Sequence, residues 1–468
     1  MQAIMNFCIA AANWFWGLPI LVLIIGGGLY MSVRLGFPQV TRIGYICSQT
    51  FGKMFSKNED GVSPFAAACS ALGASIGASN IVGVPVAIAL GGPGAVFWMW
   101  IVAITGCCTK YVEIALAMKY RTKNEKGEWT GGSFSYVKEL FGGKKLGYAI
   151  AILCAFFTMI AGLPSIAAQT VSVISQVAIF DINGTVFGII IAAIIGVIVF
   201  GGIKRIAAVM EKIVPIMAAI YLIGVIIILC INATEILPSL RSIFVYAFTP
   251  HAAVGGFTGS TIALALRWGG ARGVYSNEAG FGSAPIAHCT SNADHPIRQA
   301  VWGVFEVSVD TLMVCTATAL AVLTTGVWKD PNVDAGALGQ AAFHTVFGTA
   351  GDYFVAICVL FFVITTITVV IFYDEKQAEF LFKTTKAAVA WRVLSIITMV
   401  GVTFGAELVI MYQMSDFFNA LFIIPNMIAV IWLVPEVAKL QQEYFNTPGK
   451  YYLADMEAKK AKKAKKVA

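Results

Sequence analysis

The chain has 468 residues, 58% hydrophobic and only 12% charged, with a mean hydropathy of +0.80 and a formal net charge of +7. Soluble domains carry about 25% charged residues, so this composition excludes a soluble globular protein and points to an all-α polytopic membrane protein. The ten cysteines form no CxxC pair, and HExxH and GxxxxGK[ST] are both absent, which argues against a metal enzyme, ATP coupling and a covalently bound cofactor.

A spanning helix needs about 20 apolar residues. In chain order such runs predict about eleven spans: 14–33, 64–90, 95–118, 147–178, 184–202, 207–231, 255–294, 298–325, 350–373, 390–412 and 417–436. No basic residue precedes the first run, so it reads as a true span rather than a secretory signal. With this scheme 27 of the 32 basic residues fall in loops, tail or inner span ends (Lys212 and Arg392 among them) on one side and only Arg241 and Lys329 on the other. The positive-inside rule then sets the N-terminus outside and the C-terminus in the cytoplasm, as expected of a multi-pass protein of the plasma (inner) membrane. Residues 1–440 read as one transmembrane domain held in membrane lipid, and residues 441–468 as a basic cytoplasmic tail. The tail run KKAKKAKK (459–466) reads as solvated rather than lipid-bound, and no nucleic-acid partner is expected.

Span 2 is interrupted in GASIGASNIVGV (73–84). Gly77, Ala78, Ser79 and Asn80 would separate an inner half-helix (63–76) from an outer one (81–90). Span 7 is interrupted as well, at GGFTGS (255–260) or at NEAGFGS (277–283), and half-helix lengths favour the second. In lipid, irregular backbone persists only where it lines a cavity or is packed in protein. Half-helix N-termini suit a substrate carboxylate, and exposed carbonyls suit Na+ or an ammonium. Setting span 1 aside as peripheral leaves ten spans, with the breaks opening oppositely oriented halves, 64–231 and 250–436. That is the pattern of a 5+5 inverted-repeat transporter.

The break at 277–283 places Glu278 near the membrane centre, as a functional carboxylate or as a cap paired with Arg272. Glu306 and Asp310 lie one turn apart in span 8, as coupling or gating groups or as structural hydrogen bonders. Lys110 and Glu113 read as a helix-face pair near the inner end of span 3.

At these residues the chain resembles the alanine/glycine:cation symporter family. GGPGAVFWMW (91–100), TKYVEIALAMKYR (109–121), FTPHAAVGGFTGST (248–261), RGVYSNEAGFGSAPIAH (272–288), DTLMVCT (310–316) and IIPNMIAV (423–430) carry the resemblance. It implies a leucine-transporter type of fold and sodium-coupled uptake of small neutral amino acids. Substrate contacts are implied at Gly77, Ala78, Ser79, Asn80, Gln169 and along Tyr275, Ser276, Asn277, Gly280 and Gly282. A Na+ cage is implied from the Thr365 and Thr366 hydroxyls with carbonyls near Gly73 and Ile76, a hard-cation oxygen set. The chain departs from the family at Ala78 and Ser79 (usually Thr-Gly), at GGSFSY (131–136, commonly GGPMYY), and at Val370, where a tryptophan is usual. A valine wall widens the pocket, which opens the substrate to neutral amino acids larger than alanine.

The resulting expectation is a symporter coupling inward Na+ movement to uptake of a small neutral amino acid. The alternatives are proton coupling through Glu278, Glu306 or Asp310, or a broader substrate such as glutamine or serine. A channel or an embedded enzyme fits the motifs less well.

Overall fold

The computed structural model describes residues 2–53, 62–249 and 261–457. The 255–260 candidate break and the 459–466 tail run lie outside these. Among the described residues, eight helices are long and apolar enough to cross a membrane, and a ninth span is a pair bent by 47°. The protein is therefore a multi-pass membrane protein.

The elements that build the site are α1 (Leu18–Leu35), α2 (Pro64–Ser75), α3 (Ser79–Gly91), α4 (Gly94–Tyr120), α5 (Lys145–Val177), α6 (Gly202–Ile231), α7 (Ile262–Asn277), α8 (Ala284–His288), α9 (Pro296–Thr325), α10 (Thr349–Phe382) and α11 (Leu408–Asn446). Burial sorts them. The apolar window of α4 is 89% buried, whereas that of the helix Thr385–Val402 is 17% buried, so α4 lies in the core and Thr385–Val402 at the rim. α4 packs on α7, α9 and α1, while α5 packs on α10 and α11.

The bent pair is α2–α3. Ser63 caps α2, its Oγ accepting from Ala66 N, and Pro64 takes the first helical turn, where its missing N–H costs nothing. α2 ends where Ile76 turns extended (φ −79°, ψ 90°). α3 restarts at Ser79 as a π-helical turn, Ser79–Gly83, a form concentrated at functional sites. α9 carries a second π-helical stretch, Ser308–Cys315.

Several expected boundaries move. The inner half of the second break, expected to run over 284–293, is only the five-residue α8; beyond it the chain turns at Thr290 and Ser291, and Ser291 bridges to Val62. The chain between Lys119 and Lys145 is not a plain loop. Its short helix Ser133–Val137 is wholly buried. The helix Ala233–Tyr246 was not expected; it carries Glu235, Pro238 and Arg241 on an exposed face, too polar for the apolar-run criterion. Gly184–Val199 is apolar but short, and α7 has only 16 residues and is separated from α8 by residues 278–283.

Candidate functional site

Both breaks meet at one small cavity of about 60 Å3. Ser79 from the first break, Tyr275, Glu278 and Ser283 around the second, Gln169 from α5, and Thr366 and Val370 from α10 all line it. The Oε1 of Gln169 and the hydroxyl of Tyr275 are buried without hydrogen-bond partners among the described residues. Gly77 lies between Thr366 and Gln169: a Cβ there would stand 2.7 Å from Thr366 Oγ1 and 3.4 Å from Gln169 Nε2.

Thr366 Oγ1 lies 3.1 Å from the Gly73 carbonyl oxygen, 3.4 Å from that of Ala74 and 3.5 Å from that of Ile76. These are the carbonyls freed by the end of α2. Thr365 is different. Its hydroxyl donates to the Phe362 carbonyl at 2.9 Å within its own helix and faces Met217 Sδ. The expected hydroxyl pair on the span 2 carbonyls is thus a single hydroxyl, because Thr365 satisfies itself by back-bonding.

Asn80, Ser276, Asp310 and Asn277 stand behind the cavity and tie the breaks together. Asn80 Oδ1 accepts from Gly77 N at 2.9 Å, and its Nδ2 donates to Asp310 Oδ1 at 2.7 Å and to Ser276 Oγ at 3.0 Å. Ser276 Oγ also lies 2.8 Å from Asp310 Oδ2, and Thr311 donates to the same oxygen. Asn277 Oδ1 accepts from Ala279 N, and its Nδ2 donates to Thr311. Ala78, fully buried, does not line the cavity.

The second break is held from α4. Lys110 Nζ donates to the Asn277 carbonyl at 2.5 Å and to Glu306 Oε1 at 2.6 Å. Glu113 accepts from Gly282 N at 3.0 Å, Gly280 N at 3.3 Å and Asn426 Nδ2 at 2.6 Å. The cation therefore sits at the C-terminal end of α7 and the carboxylate at the amides leading into α8, the signs each half-helix dipole favours. The expected Lys110–Glu113 helix-face pair is not formed, since each side chain caps a different end of the break. Between them the backbone turns sharply. Glu278 has φ +55°, Gly280 +96° and Gly282 +68°, a left-handed run that suits glycine. Glu278 Oε2 accepts from Ser283 Oγ at 2.8 Å. Arg272 pairs not with Glu278 but with Asp416 at 3.4 Å, above the packed rings of Tyr275 and Tyr412.

Glu306 completes the frame. Its Oε1 accepts from Ser75 at 3.0 Å, and its Oε2 lies 3.1 Å from His288 Nε2. Gln299 Nε2 donates to His288 Nδ1 at 2.8 Å, which leaves the ring proton on Nε2 to donate to Glu306. His288, Asn426 and Tyr136, whose hydroxyl donates to Asn426 at 2.6 Å, were not expected as site residues. All three lie in runs visible in the sequence, but no spacing rule connects them.

A sequence profile of the sodium:alanine symporter family matches residues 1–457. The chain belongs to the sodium:alanine symporter family. Its relatives in that family include a Bacillus subtilis protein named uncharacterized transporter YflA, 42% identical over 96% of this chain and 95% of the other. The sodium/alanine symporter AgcS of Methanococcus maripaludis is 36% identical over 90% and 93%. The probable sodium/glutamine symporter GlnT of Bacillus subtilis is 34% identical over 95% and 91%. The fold is also that of MhsT, solved in complex with L-phenylalanine, with a TM-score of 0.52 at 13% identity over 82% of this chain and 99% of MhsT. This symporter-family chain thus has the leucine-transporter type of fold, and transport, not catalysis, is its class of activity.

Proposed function

We propose that the chain is a secondary active symporter that couples inward Na+ movement to uptake of a small neutral amino acid by alternating access. The observation that carries this is the cavity where Thr366 meets the carbonyls of Gly73 and Ile76 beside Ser79, Gln169 and Tyr275. The oxygens around Thr366 suit Na+. The first amides of α3 suit the amino acid's carboxylate. The unpaired Gln169 carbonyl and Tyr275 hydroxyl are ready polar contacts. Asn80, Ser276, Asn277, Gly280 and Gly282 act by holding the breaks in register, with Asp310 and Glu306 as the joints between halves. The eleven-span, 5+5 arrangement, N-terminus outside and C-terminus in the cytoplasm of a plasma (inner) membrane belongs to the same proposal. In that orientation the Arg272–Asp416 pair over Tyr275 and Tyr412 closes the outer path.

Uptake of labelled alanine and glutamine into proteoliposomes tests the coupling. Accumulation under an inward Na+ gradient is expected; uptake indifferent to Na+, or driven by a pH gradient without it, contradicts it. Thr366→Ala is expected to raise the Na+ concentration for half-maximal uptake about tenfold, the loss of one contact to a charged group, with little change in amino-acid preference.

The substrate reading widens beyond alanine because Val370 lines the cavity. The relatives named for alanine and for glutamine leave both sizes open. In a competition panel, Val370→Trp is expected to weaken inhibition by glutamine about tenfold or more while sparing glycine and alanine. An unchanged inhibition profile would remove Val370 from the substrate wall.

A further inference from the structure

On α10, Thr366, Val370, Tyr373 and Asp374 line the same cavity. Their spacing puts them on one helical face, with Asp374 about 12 Å along the axis from Thr366. The facing helix α5 repeats this separation. Gln169 stands at the Thr366 end beside Gly77, and a Cβ on Gly162 would fall 1.7 Å from Asp374 Oδ2, so the carboxylate lies directly on the Gly162 backbone. The cavity therefore has two ends, and Asp374 marks the one away from the Na+ and amino-acid contacts.

Asp374 is 2% exposed, and its Oδ2 has no hydrogen-bond partner among the described residues. The Tyr373 hydroxyl is likewise buried without a partner, and the Trp391 indole N–H is a neutral donor beside the Asp374 carboxylate. The charged neighbours in sequence are committed elsewhere: Glu375 to Arg392 at 2.9 Å, and Lys376 to Glu379 at 2.9 Å. A carboxylate this deep is costly unless something positive meets it. Tyr373 and Glu278 line the same cavity, so the available ligands are oxygens.

We propose that Asp374, with the adjacent Tyr373 hydroxyl, forms a second cation-accepting subsite. It would receive a monovalent positive group, Na+ or the amino acid's ammonium, as it passes between the Thr366 end of the cavity and the far end. The proposal rests on the symport reading of this cavity.

The test measures equilibrium binding on purified full-length protein: radiolabelled Na+ without amino acid, and radiolabelled alanine at saturating Na+. Asp374→Asn is expected to weaken one class of Na+ binding at least tenfold, and Tyr373→Phe to weaken the same class several-fold, whereas Thr366→Ala weakens a different class. If the subsite takes the ammonium instead, the Na+ isotherms hold while both variants lose a second, weaker class of alanine binding; this also supports the subsite. Isotherms of both variants that superimpose on wild type for both ligands would overturn it. Should Asp374→Asn fail to fold, Tyr373→Phe decides by the same criterion. Failure of the symport reading is seen separately, as wild-type uptake indifferent to a Na+ gradient, and leaves these isotherms readable.

Discussion

Lys110→Met is expected to cost about 3–5 kcal/mol of stability, the penalty for leaving one member of a buried ion pair alone, and to abolish uptake. Glu306 and Lys110 are both fully buried. Without the ammonium, Glu306 keeps only Ser75 and His288, and the Asn277 carbonyl at the end of α7 loses its donor. The double variant Lys110→Met/Glu306→Gln removes both charges and is expected to regain most of the thermal stability, while uptake stays impaired because the α7 end remains uncapped. Melting of the detergent-purified protein, followed by fluorescence-detected gel filtration, checks both. A single variant that melts like wild type would show that the pair does not hold the break.

The second large effect is expected at Asn80. In Asn80→Ala the Gly77 N–H loses its acceptor and Asp310 loses a donor at 2.7 Å. Each buried orphan costs about 1–3 kcal/mol. That cost falls on the geometry joining the two breaks, so affinity for labelled alanine is expected to fall about a hundredfold. Asn80→Asp should be at least as damaging, since it sets a second carboxylate against Asp310. Wild-type alanine binding in Asn80→Ala would mean that the first break keeps its shape without this side chain.

Much of this was legible in the sequence because lipid imposes strong rules. Apolar runs marked the helices, and glycine-rich interruptions in apolar runs marked both breaks, NEAGFGS rather than GGFTGS being the one the described residues contain. Residue types at the breaks also named Ser79 and Glu278, and the family resemblance Tyr275; all three line the cavity. What sequence does not carry is side-chain direction. Lys110 and Glu113 sit one turn apart and read as partners, yet each is drawn to the half-helix end of opposite sign. Thr365 and Thr366 are adjacent, so a helix must point them apart, and only Thr366 reaches the Gly73 carbonyl. Asp374 is not legible as a site residue because its neighbours Glu375 and Lys376 make the stretch look like a helix end at the membrane surface. Only packing against Gly162 reveals it as a cavity residue.

The most direct test of the central claim is reciprocal binding on the purified protein: alanine affinity across a series of Na+ concentrations, and Na+ affinity across a series of alanine concentrations. Two ligands sharing one coupled site must raise each other's affinity by the same factor. The account predicts equal, mutual enhancement in wild type and its near loss in Thr366→Ala; alanine binding that is unchanged when K+ replaces Na+ would contradict it.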